Sequence, residues 1–188
     1  MAHPTALVFL AEGFEDIEAV SVIDVLRRGG VDVIVAAVSD SLRVRSAHGI
    51  EMSADVCVAQ IDKALFGAVI LPGGMPGTEN LARSAHVIDI VRRHASEGRL
   101  VCAICAAPTV LAAAGVLPPE VHVTCYPSCS VDLDRPCAGV PVVCDGNFIT
   151  GQAPGSALLF ALVVLQALTD ESVAHQTASA MVTDVLLG

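Results

Sequence analysis

Short runs of apolar residues recur along the chain and alternate with segments of helical periodicity. Four of these runs predict buried strands, over Thr5 to Leu10, Val31 to Val38, Ala68 to Leu71 and Leu100 to Ile104. Continuously apolar strands are typical of sheets covered on both faces, and strands that alternate with helices usually pair in parallel. We therefore expect an α/β fold in which a mostly parallel sheet carries helices on both faces.

The remaining segments predict five helices, one more strand and one hairpin. The helices cover about Ile17 to Arg28, Leu81 to Ala95, Pro108 to Ala114, Ser156 to Leu168 and Glu171 to Leu186. The strand covers Val121 to Thr124, and the hairpin covers Val142 to Thr150 around the turn residues Asp145-Gly146-Asn147. Because no repeat, linker or low-complexity tract interrupts the pattern, we expect a single domain over residues 1–188.

Composition narrows the classes of partner. The chain is 54% hydrophobic, but its most apolar stretch, Leu100 to Leu117, is interrupted by Pro108 and Gly115 and indicates buried core rather than a membrane span. A net charge of −10 without a cluster of Lys or Arg would repel a phosphate backbone, so we do not expect nucleic acid as a partner. The N-terminus has no basic segment typical of a signal peptide, so we expect a cytoplasmic protein. Seven cysteines then indicate reduced thiols, and their spacing does not favour a metal site.

The strand ends predict where a site would form. Binding sites of parallel α/β folds lie beyond the carboxyl ends of the strands. That rule selects the segments Glu12 to Glu18, Gly73-Gly74, Cys105-Ala106 and Thr124 to Tyr126. We expect these four segments to converge.

Cys105 lies between a predicted strand and a helix that begins at Pro108. The positive end of the helix dipole would favour the thiolate, which is the nucleophilic form of cysteine. The free backbone N–H of Ala106 could receive an oxyanion. From position alone, an inert buried cysteine is an equally good interpretation.

Two further features of these segments have both a functional and a plain interpretation. Gly73-Gly74 exposes backbone that could approach a ligand or donate to an anion, but a simple turn explains the pair as well. Glu18 would have a raised pKa and could carry a proton if it entered an apolar site. A solvated acid at a helix start is the alternative.

Four stretches that span nearly the whole chain carry a family resemblance. They are Ala6 to Val20 (ALVFLAEGFEDIEAV), Leu71 to Gly77 (LPGGMPG), Ala103 to Thr109 (AICAAPT) and Ile149 to Gly155 (ITGQAPG). In these motifs and their order the chain resembles the ThiJ/PfpI superfamily, in its DJ-one (Parkinson-disease protein deglycase) branch. The resemblance implies a flavodoxin-like three-layer sandwich and a homodimer.

The same resemblance implies roles for particular residues. Cys105 takes the family's nucleophile position, Glu18 that of the acid hydrogen-bonded to it, and Gly73, Gly74 and Ala106 those of the surrounding backbone donors. The implied activities need no cofactor: conversion of small aldehydes such as methylglyoxal to lactate without glutathione, repair of early glycation adducts, and protection against oxidative stress. An older family label concerns thiazole phosphate synthesis.

Three positions depart from the family's patterns. The protease-like branch has a histidine directly after the cysteine, whereas this chain has Ala106, so we do not expect a peptidase. Tyr126 stands where human-type members have a histidine near the cysteine, and a phenol is a poor base at neutral pH. Cys102 forms a C-x-x-C with Cys105, but it lies inside a predicted strand, so a buried structural thiol is favoured over a resolving thiol. His122 is interpreted as an ordinary strand residue.

Three hypotheses for function follow. In the first, the chain is an enzyme in which Cys105 attacks a small 2-oxoaldehyde and Glu18 transfers the proton. In the second, it is a redox sensor or chaperone that acts through oxidation of Cys105. In the third, it is a noncatalytic dimeric binding module, which would be favoured if Glu18 and Cys105 were not within hydrogen-bond distance.

Overall fold

The computed structural model describes residues 3–133 and 135–183. The strands are β1 (Thr5–Leu10), β2 (Asp32–Ala37), β3 (Arg43–Arg45), β4 (Glu51–Ser53), β5 (Val56–Cys57), β6 (Ala68–Leu71), β7 (Leu100–Ile104), β8 (Val142–Asp145) and β9 (Phe148–Gly151). The α-helices are α1 (Asp16–Arg28), α2 (Gly77–Arg83), α3 (Ala85–Ser96), α4 (Pro108–Ala113), α5 (Ala157–Leu168) and α6 (Glu171–Ala180). Short 3₁₀ turns cover Val58–Gln60, Pro127–Asp132 and Pro154–Ser156.

Seven of the strands form one sheet in the order β5-β2-β1-β6-β7-β9-β8. Every neighbouring pair is parallel except β8 and β9, which form the antiparallel hairpin that the sequence predicts. The mostly parallel α/β sheet is therefore confirmed. Strands β3 and β4 form a separate small hairpin.

The alternation of side chains along each strand creates two cores. On β1, Ala6, Val8 and Leu10 face one core, and Leu7 and Phe9 face the other. Helices α1, α5 and α6 cover the first core, and α2, α3 and α4 cover the second. The result is the three-layer sandwich that the sequence predicts.

Helix α1 packs closely on α5. Its apolar positions recur at helical spacing, and Ala19, Val22 and Leu26 are fully buried. Gly29 directly follows the last residue of this helix, and a Cβ atom at Gly29 would overlap the side chain of Leu165 on α5. Glycine at this position therefore permits the close approach of the two helices.

The predicted helix over Leu81 to Ala95 is wrong in its continuity, because two helices occupy this region. Helix α2 ends at Arg83, and Ser84 adopts an extended conformation. The hydroxyl of Ser84 accepts a hydrogen bond from the N–H of Val87, so Ser84 caps the start of α3.

The predicted strand over Val121 to Thr124 is also wrong. Two backbone N–H groups that a strand ladder would use donate instead to side chains: that of His122 to Asp145 Oδ2 (2.9 Å) and that of Thr124 to Thr150 Oγ1 (2.9 Å). Val123 forms only an isolated parallel bridge with Cys137. The segment follows the sheet edge without joining it.

The last predicted helix is shorter than expected. Helix α6 ends at Ala180, and Val182 has a φ of 57°, which is incompatible with continuing the helix. The predicted end at Leu186 lies outside the described residues. In the described part of the chain, no helix is long and apolar enough to cross a membrane.

Candidate active site

Cys105 occupies a sharp turn between β7 and α4. Its φ is +65°, a left-handed value that non-glycine residues rarely adopt. Its N–H donates to the carbonyl of Gly151 on β9 (3.0 Å), and its carbonyl accepts from the N–H of Tyr126 (2.7 Å). The two flanking segments therefore hold the cysteine in this conformation.

The carboxyl group of Glu18 reaches the same point from the first turn of α1. Glu18 is fully buried, and its Oε2 accepts a hydrogen bond from the N–H of Gly73 at 2.7 Å. Its Oε1 is buried and has no further hydrogen-bond partner within the described part of the chain. A Cβ atom on Gly73 would lie 2.7 Å from Cβ of Cys105 and 2.9 Å from Oε2 of Glu18. Gly73 thus allows these groups to approach.

Burial raises the pKa of Glu18 to about 7. Hydrogen bonds from the N–H of Gly73 and from Cys105 act in the opposite direction, whereas the charge of Glu15 adds to the increase. Near neutral pH, this carboxyl group is divided between its acid and carboxylate forms, so it can both accept and donate a proton.

Burial also raises the pKa of Cys105, to about 12, and the neighbouring Glu18 carboxylate adds to the increase. Hydrogen bonds from the N–H groups of Ala106 and Gly74 lower it. Burial therefore opposes the thiolate form that the start of helix α4 is expected to favour. The thiol instead needs a base, and Glu18 hydrogen-bonds it.

The two N–H groups come from separate turns. Gly74 has a φ of +91°, and a Cβ atom there would overlap the backbone between Gly13 and Glu15. Ala106 directly follows the cysteine. Two such donors beside the sulfur can also hold the oxyanion that forms when the sulfur adds to a carbonyl group.

A surface cleft of about 830 Å³ reaches this site at Ala106. Its walls come from α2, α4 and the loop after Tyr126, and include Met75, Thr109, Cys129 and Arg135. Cys105 itself is 8% exposed. The cleft therefore reaches the residue that follows the cysteine, and one of the two N–H donors, Ala106, lies in its wall.

For the other residues that the sequence singled out, Tyr126, Cys102 and His122, the structure gives no side-chain hydrogen bond to Cys105 or Glu18 in the described part of the chain. Tyr126 is 43% exposed, and its hydrogen bond to Cys105 is made by the backbone. Cys102 is fully buried in β7, and burial raises its pKa. His122 is on the surface, where its Nδ1 lies 2.9 Å from Asp145 Oδ2.

Two side-chain clusters were not predicted from the sequence. Glu15, Asp16 and His48 lie together at the start of α1, with one ligand atom of each within 4.8 Å of the others. The hydrogen bond from His48 to Asp16 and the charge of Glu15 raise the pKa of His48, which favours an ion pair within this cluster. The second cluster brings Cys125 and Cys137 to an Sγ–Sγ distance of 3.1 Å. Eleven residues lie between the two cysteines in the sequence, and no sequence periodicity predicts such a contact.

Known proteins share this arrangement of elements. A sequence model described as the DJ-1/PfpI family matches residues 4–167. The chain is 38% identical over 180 residues to the protein dj-1beta of Drosophila melanogaster, covering 94% of this chain and 96% of that protein. It is 34% identical to the glutathione-independent glyoxalase DJR-1.2 of Caenorhabditis elegans, covering 89% and 90% of the two chains.

One plant relative is longer than this chain. A solved structure of another relative has the same fold. The protein DJ-1 homolog A of Arabidopsis thaliana is 36% identical over 93% of this chain, which spans only 45% of that protein. The structure of oxidized Toxoplasma gondii DJ-1 superposes with a TM-score of 0.90 at 33% identity, covering 95% of this chain and 98% of that one. With the family model matching residues 4–167, the relatives at 34–38% identity and the superposed structure in agreement, the chain belongs to the DJ-1/PfpI family and has its flavodoxin-like fold.

Proposed function

We propose that this protein converts small 2-oxoaldehydes such as methylglyoxal into 2-hydroxy acids by a cysteine-dependent reaction without a cofactor, and so protects against aldehyde and oxidative stress. The observation that carries the proposal is the buried pair of Glu18 and Cys105 between the N–H groups of Gly74 and Ala106. The name of the nematode relative, a glutathione-independent glyoxalase, supports the same chemistry.

In the first step, the sulfur of Cys105 attacks the aldehyde carbon. The Glu18 carboxylate accepts the thiol proton during the attack, which compensates for the raised pKa of the thiol. The carbonyl oxygen becomes an oxyanion that the N–H groups of Gly74 and Ala106 can hold. Protonated Glu18 then neutralises this oxygen, which leaves a hemithioacetal and a free carboxylate.

In the second step, the Glu18 carboxylate removes the hydrogen from the carbon bonded to sulfur and returns it to the neighbouring carbonyl carbon, while the hydroxyl proton passes to the oxygen of that neighbouring carbon. The product is a thioester of the 2-hydroxy acid on Cys105. Water then attacks the thioester carbon, the C–S bond breaks, and the thiol recovers its proton. One water is consumed, and there is no net oxidation or reduction.

The experiment uses Cys105→Ala and, as a matched control, Cys144→Ala. Cys144 is an exposed thiol on β8 and has no part in the proposed reaction. We expect methylglyoxal consumption and lactate formation to be lost in Cys105→Ala and retained in the control. Undiminished turnover by Cys105→Ala would exclude the mechanism.

The assembly proposed with this function is a homodimer of single-domain chains over residues 1–188, acting in the cytoplasm on a small aldehyde rather than on nucleic acid or membranes. The family resemblance implies the dimer, and Ile17 and Val20, exposed on α1 (56% and 48%), supply an apolar surface. Sedimentation should give a dimer for the wild type and a monomer for a variant that carries Ile17→Asp and Val20→Asp. A monomeric wild type would contradict the assembly.

A redox sensor that acts through Cys105 is the second candidate function. The observation in its favour is the raised pKa of Glu18, because a protonated carboxyl group can donate a hydrogen bond to an oxidised sulfur. The oxidized state named for the Toxoplasma relative supports the same idea. Mass spectrometry after mild peroxide treatment should find sulfinate at Cys105 before it appears at the other thiols; oxidation without this preference would exclude the sensor.

A further inference from the structure

A second pair of reactive groups lies beside the loop that holds Cys105. The Sγ atoms of Cys125 and Cys137 are 3.1 Å apart. A disulfide has an S–S length of about 2.05 Å, so an approach of roughly one ångström would bring the two sulfurs to bonding distance. Neither the Cys105 chemistry nor the family motifs use this pair.

Backbone contacts on both sides keep the two cysteines together. Cys137 forms a parallel bridge with Val123, and the N–H of Ala138 donates to the carbonyl of Val123 at 2.9 Å. One residue before Cys125, the hydroxyl of Thr124 donates to the carbonyl of Val140 at 2.8 Å. The two segments therefore run side by side, and the sulfurs meet between them.

The two thiols differ in their access to solvent. Cys125 is 2% exposed, and burial, together with its contact with Cys137, raises its pKa. Cys137 is only half-buried. An oxidant from solvent therefore reaches Cys137 first. Cys125 is the adjacent buried thiol that can then react with the oxidised sulfur of Cys137 to form a disulfide.

The geometry favours a bond between two sulfurs over a metal ion. Cys129 lies in the same small apolar cluster and would be the third sulfur of a metal site. However, over residues 3–133 and 135–183 the only three potential ligand atoms within 4.8 Å of one another belong to Glu15, Asp16 and His48. The three cysteines thus do not converge on one point, whereas two of them are in contact.

We propose that Cys125 and Cys137 form a reversible disulfide, a redox site separate from Cys105, when the protein meets hydrogen peroxide. The Cys137 thiolate attacks one peroxide oxygen, the O–O bond breaks, and the departing hydroxide takes a proton to become water. The sulfur of Cys125 then attacks the resulting sulfenic acid, the S–O bond breaks, and a second water leaves with the proton of Cys125. Two thiols and one peroxide thus give one disulfide and two waters.

The disulfide would close a loop that forms one wall of the cleft. Cys129, Asp132 and Arg135 lie on this wall, between the two bonded positions. Tyr126, which follows Cys125, donates its N–H to the carbonyl of Cys105. The redox state of the pair would therefore restrict the conformation of the cleft wall that lies next to Cys105. This inference does not rest on the aldehyde chemistry proposed for Cys105.

The test maps the bond in the full-length protein. After mild peroxide treatment and alkylation of the remaining thiols, proteases that cut before aspartate and after glutamate release the peptides 121–131 and 134–144. We expect these peptides to be linked with the loss of two hydrogens, and a dithiol reductant to separate them. Fragmentation of the linked peptides in the wild type should place the bond between Cys125 and Cys137.

Each peptide contains one more cysteine, and these provide matched controls. The link should persist in Cys129→Ser and Cys144→Ser, and also in Cys105→Ala, but should disappear in Cys137→Ser. The proposal is overturned if fragmentation places the bond at Cys129, Cys144 or Cys105. It is equally overturned if both thiols of the pair are still alkylated in the wild type after Cys105 has been oxidised.

Discussion

Two cysteine sites lie side by side in this protein, and they differ in what faces the sulfur. Cys105 meets the Glu18 carboxyl group and the N–H groups of Gly74 and Ala106. Cys125, on the neighbouring loop, meets the thiol of Cys137. Both sites lie beyond the carboxyl ends of the strands, and both sulfurs are almost completely buried.

The comparison shows that the thiol pKa does not separate the two kinds of site. Burial raises the pKa of Cys105, and burial and the neighbouring thiol of Cys137 raise that of Cys125. The neighbouring group decides the chemistry, because a carboxylate can take the proton of an attacking thiol, whereas a second thiol can only complete a disulfide. A change at one site should therefore leave the chemistry of the other unchanged.

Removing the base should have the largest effect. Glu18→Gln keeps the size of the side chain but cannot accept the Cys105 proton, so we expect kcat/KM for methylglyoxal to fall about 100- to 10,000-fold. In the wild type, kcat/KM should rise with pH through about 7 as Glu18 ionises, and this rise should vanish in the variant. Steady-state kinetics from pH 5 to 9 measure both effects.

Asp24→Asn is the matched control for this loss of charge. Asp24 lies on the same helix, and its carboxylate is half exposed and pairs with Arg28. The control should keep both the rate and its pH dependence. A Glu18→Gln enzyme that retains the rise near pH 7 would show that another group is the base. The Cys125–Cys137 disulfide should form as readily in Glu18→Gln as in the wild type.

Gly73→Ala should have the next largest effect. The added Cβ atom would lie 2.7 Å from Cβ of Cys105 and 3.0 Å from the carbonyl oxygen of Ile104, so the acid and the thiol must move apart. Because such chemistry depends on contact geometry, we expect a loss of about 100-fold in kcat/KM. Overpacking should also lower the free energy of unfolding by about 1–3 kcal/mol.

Gly155→Ala provides the control for Gly73→Ala, because a Cβ atom on Gly155 meets no atom within 4 Å. Its kinetics and unfolding should match the wild type. If Gly73→Ala retains wild-type turnover, the close approach of Glu18 and Cys105 is not required. Gly73→Ala should leave disulfide formation by Cys125 and Cys137 unchanged, since that pair lies on a different loop.

The strands of the main sheet could be predicted because a strand buried on both faces is apolar at nearly every position. Strands β1 and β7 are almost wholly buried and read as continuous apolar runs. Strands β3 and β4 have only three residues each, and in both strands an apolar residue lies between two exposed polar or charged residues. Such short segments give no comparable signal in the sequence. The segment from Val121 to Thr124 has the composition of a strand, but side-chain acceptors on the β8–β9 hairpin take two of its N–H groups.

The site was predictable only in part for similar reasons. The strand-end rule and the family resemblance indicated the segments of Glu18, Gly73 and Cys105, and the structure brings them together. The pKa of Cys105 could not be predicted, because it depends on how completely the turn is buried. The contact of Cys125 with Cys137 depends on two irregular segments whose path follows from tertiary contacts alone.

The raised pKa of Glu18 also predicts how stability depends on pH. In the unfolded chain Glu18 releases its proton near its ordinary value of 4.5, whereas the folded chain holds the proton up to about pH 7. The free energy of unfolding contributed by Glu18 therefore falls as pH rises between these values, by about 3 kcal/mol in all. Urea unfolding at pH 5 and pH 8 should show this loss in the wild type.

Glu18→Gln provides the reference for this stability measurement, because glutamine does not titrate. Between pH 5 and pH 8 the wild type should lose about 2–3 kcal/mol more than the variant. Ionisable groups that do not interact with Glu18 contribute equally to both proteins and cancel in the difference. An equal loss in both would mean that Glu18 is not protonated in the folded protein near neutral pH.

Tyr126→Phe should have the smallest effect, although Tyr126 lies directly between the two cysteine sites. Tyr126 is 43% exposed, and its contact with Cys105 is a backbone hydrogen bond that phenylalanine retains. We expect kcat/KM to stay within about twofold of the wild type and the disulfide to form normally, since substitutions of exposed groups usually change stability by less than about 0.5 kcal/mol. A large loss of turnover with unchanged unfolding would instead assign the phenol to proton transfer. Glu18 would then not be the only acid–base group at Cys105.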